Sequence, residues 1–160
     1  MVSKIGKYAF LLVTLLVIFS FVAACGGSQE KEGGPEGAEG EVRPSNPGGA
    51  GEAVNLTGDP TAGADIFKVN CVACHGEEGK GGVSNPGSTD ETVPSLNPID
   101  PGLVSTDAKT FVTNIDLFLE HGSTPEGSNP ALVMTAFGDE KVLTPQQIAD
   151  VIAYVISLNK

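Results

Sequence analysis

Basic residues are scarce in this sequence. It has 9 Lys and Arg residues against 20 Asp and Glu residues, and its formal net charge is −11 at pH 7. Proteins bind nucleic acid largely by neutralising phosphates with Lys and Arg, so this balance excludes nucleic acid as a partner. Residues 59–160 contain five lysines and 14 acidic residues. Because this segment lacks a lysine-rich face, we expect partners with a basic or mainly apolar docking patch.

Cysteine and histidine are also rare, with three and two residues respectively. Two of the cysteines and one histidine form the C-x-x-C-H segment Cys71-Val72-Ala73-Cys74-His75. No second cysteine pair is left to complete a zinc site with four cysteine ligands, and His121 is the other histidine. A thioredoxin-like dithiol needs a βαβ context, and no convincing alternating strand pattern occurs. These absences favour the remaining interpretation, a covalently bound c-type haem.

The spacing of the motif has a chemical reason. Thiols at Cys71 and Cys74 reach the two vinyl groups on one edge of a porphyrin and form thioethers, and His75 brings an imidazole to the iron. Five consecutive residues therefore supply the covalent attachment and one axial ligand of a single haem c. A redox dithiol and a different metal site are the alternatives.

An uncharged apolar run of 17 residues, Tyr8–Ala24, follows two lysines near the N-terminus. A basic start, an apolar stretch and small residues at its end are typical of a secretory signal. The run ends in a segment that resembles the lipobox of bacterial lipoproteins, Val22-Ala23-Ala24-Cys25-Gly26. The resemblance implies a signal peptide over residues 1–24 and lipidation of Cys25, which places the protein on the extracytoplasmic (periplasmic) face of a membrane. The alternative is an uncleaved helix, for which 17 residues are barely long enough.

Residues 25–58 are predicted to be the lipidated cysteine and a flexible acidic linker. From Ser28 to Gly58 the chain has 8 Gly, 3 Pro and 6 Glu residues and very few apolar ones. Such a composition buries too little surface to offset the entropy of ordering the chain. A linker of this length spans roughly 30 Å on average, which would let a folded domain reach partners near the membrane.

One folded domain is predicted over residues 59–160, with three main helices. Asp59-Pro60 is an N-cap followed by proline at the first helical position. The second helix is predicted from about Thr106 to His121 by its apolar periodicity. The third follows the capping box Thr144-Pro145-Gln146-Gln147 and carries apolar residues at helical spacing over Ile148–Ile156. With no strand pattern, the predicted fold class is all-α.

A loop of about 30 residues rich in Gly, Pro and Ser, from Gly76 to Ser105, separates the first two helices. Loops of this length are uncommon inside compact domains. A bound macrocycle would offer the loop a surface to pack on. We therefore expect the helices and loops to wrap around the haem, and the haem-free chain to be largely unfolded.

Segments spread over residues 59–160 match one family pattern: Gly63, Phe67, Cys71-Val72-Ala73-Cys74-His75-Gly76, Gly79-Lys80-Gly81-Gly82, Pro94-Ser95-Leu96, Met134-Thr135-Ala136-Phe137-Gly138, Leu143-Thr144, Gln147-Ile148-Ala149-Asp150-Val151 and Ala153-Tyr154-Val155. Together they resemble the class I cytochromes c of the bacterial monohaem type. The resemblance implies a cytochrome c-like fold around one covalent haem. It also implies that Gly63, Phe67 and Tyr154 pack where the first and last helices cross.

The resemblance further implies that Met134 is the second axial iron ligand and that the Pro94 carbonyl bonds to the ring of His75. A thioether ligand raises the reduction potential and closes the iron to outside ligands. The family usually places proline after this methionine, whereas this chain has Thr135. The alternatives are that Met134 is ordinary core packing, or that His121 binds the iron and gives a bis-histidine haem of lower potential.

The sequence therefore predicts a membrane-anchored single-electron carrier with no catalytic residues and no small-molecule substrate. It would act in an extracytoplasmic respiratory or photosynthetic electron-transport chain, with redox proteins or respiratory complex subunits as partners. One alternative is a fixed haem subunit of a larger membrane complex, such as a quinol-oxidising alternative complex III or a terminal oxidase. Another is a peroxidase or gas sensor with a five-coordinate haem, which Met134 argues against.

Overall fold

The computed structural model describes residues 48–160. The predicted signal peptide over residues 1–24, the predicted lipidation site Cys25 and the predicted linker up to residue 47 lie outside the described residues. Residues 48–160 contain four α-helices and three short 3₁₀ turns, and they have isolated β-bridges but no strand. The prediction of an all-α domain is confirmed for this part of the chain. None of its helices is long and apolar enough to cross a bilayer.

The helices begin where their capping residues predict. Helix α1 (Pro60–Asn70) starts after Asp59, whose carboxylate accepts a hydrogen bond from the Thr61 N–H at 2.8 Å. A single turn, α2 (Val72–His75), follows it directly. Helices α3 (Ala108–His121) and α4 (Pro145–Leu158) complete the set.

Helix α3 begins two residues later than the sequence prediction. Asp107, not its neighbour Thr106, is the N-cap, and its carboxylate accepts a hydrogen bond from the Thr110 N–H at 2.7 Å. Both residues are common N-caps, so their composition does not separate them. Helix α4 begins as predicted, with both hydrogen bonds of the Thr144 and Gln147 capping box present.

Helices α1 and α4 cross in close contact. A Cβ atom at Gly63 would collide with the backbone carbonyl of Asp150, so only glycine permits this approach. The rings of Phe67 and Tyr154 pack beside the crossing, with centroids 5.2 Å apart and planes tilted by 58°. The Asp59 N–H donates to the Asp150 carboxylate at 2.9 Å. The packing that the resemblance implied for these residues is therefore present.

The last part of the predicted linker is folded, which corrects its boundary at residue 58. Glu52–Asn55 form a 3₁₀ turn, and Ala53 is only 1% exposed. The Gly51 N–H donates to the buried Asp116 carboxylate at 2.7 Å, which ties this segment to α3. Ala53 belongs to the hydrophobic core and supplies the apolar contact of this segment. Its signal is lost when composition is averaged over the whole glycine-rich segment.

Candidate functional site

A cavity of about 290 Å³ lies in the described domain, and most residues around it are apolar. Its walls come from α1 and α2, from the long loop after them, from α3, from the segment before α4, and from α4 itself. The apolar lining includes Phe67, Leu96, Ile99, Leu103, Ile115, Phe118, Leu119, Leu132, Phe137, Val151 and Val155. The sequence-predicted site residues Cys71, Cys74, His75, Pro94 and Met134 line this same cavity.

The turn α2 and its N-cap residue Cys71 present the two thiols and the imidazole together. The N–H groups of Cys74 and His75 both donate to the Cys71 carbonyl, at 3.1 and 2.8 Å, so the motif winds into one helical turn. Cys71 is 7% exposed, and its burial, with Cys74 beside it, raises the pKa of its thiol to about 11. A reactive redox dithiol instead has a lowered thiol pKa. This environment therefore argues against the thioredoxin-like alternative.

His75 is oriented by a backbone carbonyl. Its Nδ1 atom lies 3.2 Å from the Pro94 carbonyl oxygen, the partner that the resemblance implied. Because a carbonyl only accepts, Nδ1 carries the hydrogen and Nε2 keeps its lone pair for a metal. Burial lowers the pKa of His75, and the bond to Pro94 opposes that shift. The ring is therefore a neutral donor near pH 7, held by a bond of the kind that orients metal-ligating histidines.

A glycine lets the Pro94 segment approach the motif. The Gly81 N–H donates to the His75 carbonyl at 2.7 Å. A Cβ at Gly81 would stand 2.7 Å from the backbone of Ser95, and its φ of +67° is unfavourable for other residues. The long loop predicted between the first two helices thus folds back on the motif and forms part of the cavity wall.

Met134 reaches the cavity from the segment between α3 and α4. Helix α3 is capped at its C-terminal end by Gly122, whose φ is +68°, and Ser123 then forms an antiparallel bridge with Met134. The Met134 N–H donates to the Ser123 carbonyl at 2.8 Å, and the Ser123 N–H donates back at 3.2 Å. The side chain of Met134 is partly buried against the core. Its thioether therefore belongs to the same cavity as the two thiols and the imidazole.

These residues fit a haem better than an isolated metal ion. Within residues 48–160, no three His, Cys, Asp or Glu side chains are grouped to hold an ion. The cavity instead combines two thiols, one neutral imidazole and one thioether with an extended apolar wall. That is the donor set of a covalently attached haem with histidine and methionine ligands.

His121 does not line the cavity, and its ring forms hydrogen bonds outside it. Its Nδ1 donates to the Asp139 carboxylate at 2.8 Å and its Nε2 donates to the Gly49 carbonyl at 2.7 Å. Since both partners are acceptors, the ring satisfies them fully only as an imidazolium, and the C-terminal end of α3 favours that charge. The bond to Asp139, and then the bond to Gly49, raises the pKa of His121. The structure does not support the bis-histidine alternative.

We expect the contribution of His121 to stability to fall as the pH rises. Its pKa is higher in the folded state than the ordinary value of about 6.5, so the contribution is complete below that pH. It is lost as the pH rises through the folded-state pKa. The free energy of unfolding of the wild type and of His121→Gln, measured by denaturant titration from about pH 5 to about pH 9, should differ most at acidic pH.

Asp139→Asn is the matched control for this prediction. It removes the largest cause of the raised pKa, so the loss of stability should begin at a lower pH than in the wild type. Glu120 also raises the pKa of His121 and is unchanged in this variant. A difference between wild type and His121→Gln that stays constant with pH would contradict the imidazolium assignment.

Sequence reasoning missed Asn85, a buried polar residue of the cavity. Asn85 is 1% exposed and both polar atoms of its side chain bond to the backbone of Leu132. In the sequence it stands before Pro86-Gly87, which is typical of an ordinary turn. No local signal indicates that its partner lies 47 residues away.

Comparison with known proteins gives a family match over most of the described domain. Residues 60–159 match the model of the family described as Cytochrome c. The FixP subunit of a Cbb3-type cytochrome c oxidase from Sinorhizobium medicae is 34% identical over 100 residues, which are 62% of this chain and 30% of the relative. The CcoP subunit from Azospirillum sp. (strain B510) is 33% identical over 104 residues, 61% of this chain and 30% of the relative.

The chain thus spans less than a third of the length of these curated relatives. The comparison with solved structures found no match.

Proposed function

This chain belongs to the cytochrome c family, and from that premise we propose that it is an electron-transfer haem subunit of a membrane-bound terminal oxidase complex. The family implies covalently bound haem c. Two relatives that share about a third of their aligned residues with the chain are named as subunits of Cbb3-type cytochrome c oxidases. This similarity favours the subunit over the membrane-anchored electron shuttle that the sequence predicts.

The observation that carries the haem-binding part of the proposal is that one cavity of the described domain contains both halves of the ligand set. Cys74 and His75 reach it from α2 and Cys71 from the N-cap of that turn, and Met134 reaches it from a segment about 60 residues further along the chain. Residues that share no local structure are therefore brought to one place. We propose one haem per chain, because C-x-x-C-H occurs once in the sequence.

The haem supplies a one-electron couple when it is bound, and the residues that would hold it determine whether outside molecules can reach the iron. Cys71 and Cys74 would hold the macrocycle by thioethers, and Nε2 of His75 would be the first axial ligand. Met134 would be the second, and a thioether in that position keeps outside molecules from the iron. We therefore propose that the domain transfers electrons and does not itself catalyse a reaction on a small molecule.

Electron exchange is proposed to occur at the opening of the cavity. Val133 lines the cavity and is 57% exposed, and Val104, beside the lining residue Leu103, is 53% exposed. Asp100 is the one carboxylate among the lining residues, and no lysine is among them. A partner with an apolar contact patch suits this surface, and acidic residues elsewhere on the domain suit a basic rim on that partner.

Membrane attachment is proposed to occur through a lipid on Cys25, on the extracytoplasmic side. The support is the lipobox-like segment and the C-x-x-C-H motif, since haem c is attached outside the cytoplasm in the proteins that the chain resembles. The residues between Cys25 and Gly49 would then connect the lipid to the folded domain.

The experiment that tests the proposed function is extraction of native membranes in mild detergent followed by native gel electrophoresis with haem staining. We expect the chain to migrate with integral membrane subunits of an oxidase. The control is Cys25→Ser, which removes the lipid acceptor and leaves residues 48–160 unchanged. The comparison uses the Cys25→Ser protein that reaches the extracytoplasmic side. If protein contacts hold the assembly, a detectable fraction of that protein will still migrate with the complex.

The subunit proposal would be contradicted if the wild type migrated as a single small haem-stained band and if the protein without its lipid were released from the membrane. That result would support the freely moving, lipid-tethered carrier instead.

A further inference from the structure

Asn85 uses its whole side chain to hold one residue of the segment that carries Met134. Its Oδ1 accepts the Leu132 N–H at 2.7 Å, and its Nδ2 donates to the Leu132 carbonyl at 3.0 Å. The residue is 1% exposed, so water does not replace these bonds readily. We propose that Asn85 is a positioning residue that holds Met134 in place as the second iron ligand. This inference rests on the proposed function.

The two bonds lie close to the thioether. Leu132 stands two residues before Met134, and Asn85, Leu132 and Met134 all line the cavity. Two residues after Leu132, the backbone of Met134 is paired with that of Ser123. The segment is thus held at Leu132 by a side chain and at Met134 by the backbone.

Side-chain packing holds the rest of this segment only weakly. Val133 is 57% exposed and Thr135, which follows Met134, is also exposed. Neither neighbour of Met134 in the chain is buried in the core. Besides the packing of the Met134 side chain against the core, hydrogen bonds to the backbone therefore constrain where the thioether lies, and Asn85 supplies two of them.

The loop that carries Asn85 is itself well anchored. The Asn85 N–H donates to the Glu91 carbonyl at 2.7 Å and closes the loop. The Thr89 N–H donates to the Glu126 carbonyl at 2.7 Å, and the Ala131 N–H donates to the Pro86 carbonyl at 3.0 Å. The loop over residues 83–92 therefore forms a backbone-bonded brace against the segment before Met134. A rigid support of this kind is what a positioning side chain requires.

The test compares Asn85→Ala with the wild type as purified haem proteins. We expect the far-red thioether-to-iron band of the ferric protein to weaken and carbon monoxide binding to the ferrous protein to increase. The equilibrium between methionine-bound and methionine-free haem should shift roughly 30-fold, the size expected from the loss of two hydrogen bonds. The haem stays covalently attached, because Cys71 and Cys74 are unchanged.

Asn114→Ala is the matched control. Asn114 is also 1% exposed, and its side chain donates to the carbonyl of Leu103, a cavity residue in a different loop. We expect this variant to lose thermal stability but to keep the far-red band and to bind no carbon monoxide. If Asn85→Ala loses stability in the same way with its band and its carbon monoxide affinity unchanged, the positioning role is wrong.

Asn85→Asp provides an independent measurement if the alanine variant folds poorly. An ionised aspartate accepts from the Leu132 N–H but repels the Leu132 carbonyl, whereas a protonated aspartic acid restores the donor. The band should therefore be weak at neutral pH and recover as the pH falls, a change that the wild type and Asn114→Ala should not show. Equal bands for Asn85→Asp and wild type across this range would overturn the proposal.

Failure of the proposed function has a different signature. A wild-type protein that lacks the far-red band and binds carbon monoxide stoichiometrically would show that Met134 is not the ligand, and the positioning role would fail with it. A wild-type protein with the band, together with an unaffected Asn85→Ala, overturns the role of Asn85 alone.

Discussion

Replacing Met134 with leucine should open the iron of the holoprotein to carbon monoxide. Leucine nearly preserves the volume of the side chain, so the partly buried packing against the core is kept while the thioether is lost. The ferric protein should lose its far-red band, and its ferrous form should change from no carbon monoxide binding to full binding. The reduction potential should fall by on the order of 0.1 V or more, within the roughly 0.8 V range that axial ligands control.

Visible spectroscopy with and without carbon monoxide and a potentiometric titration measure these changes. Met134→His is the informative companion, because an imidazole can again close the iron but gives a lower potential than a thioether. Val142→Ala, an exposed position later in the same segment, should leave spectrum and potential unchanged. A Met134→Leu protein with wild-type spectrum and potential would mean that Met134 is only core packing.

Preventing haem attachment should unfold most of the domain. With Cys71 and Cys74 both replaced by alanine and no haem bound, the cavity of about 290 Å³ has no macrocycle to fill it. At about 24 cal/mol per Å³, an empty cavity of this size costs on the order of 7 kcal/mol. Domains of this size are usually stable by about 5–15 kcal/mol in total. We therefore expect little native helix in the haem-free protein.

Far-UV circular dichroism and a thermal melt test this expectation. Cys74→Ala alone is the matched control, because Cys71 can still form one thioether and His75 is unchanged; its haem-bound fraction should melt cooperatively. A haem-free double variant with full helical signal and a cooperative transition would show that the protein core is sufficient by itself. The crossing of α1 and α4 at Gly63, with its own buried contacts, would then be the part that holds the fold together.

Much of the fold could be predicted because its signals are local. The caps at Asp59 and Thr144 act within one turn, and the apolar periodicity of α4 repeats every three or four residues. The start of α3 was predicted less closely for the same reason, since Thr106 and Asp107 are adjacent and both residue types cap helices well. Local signals identify an element but define its ends only to within a residue or two.

The candidate site also has one part that local sequence signals predict and another that they do not. The C-x-x-C-H segment carries its own geometry, because one helical turn places Cys71, Cys74 and His75 together. The partners of that turn are distant in sequence. Resemblance to a family suggested Pro94 and Met134, and nothing near Asn85 suggested that it would bond to Leu132.

The sequence by itself therefore determined the chemistry of this protein: an acidic, all-α domain with one attachment motif for haem c. Only the tertiary structure decided that residues 52–55 belong to the folded domain and that Asn85 braces the methionine segment. It also decided that His121 binds Gly49 and Asp139 outside the cavity. The physical reason is that caps and periodicity depend on neighbours a few residues apart. The hydrogen bonds of Asn85 and His121 depend on segments 47 and 72 residues away, which meet only once the loops have packed.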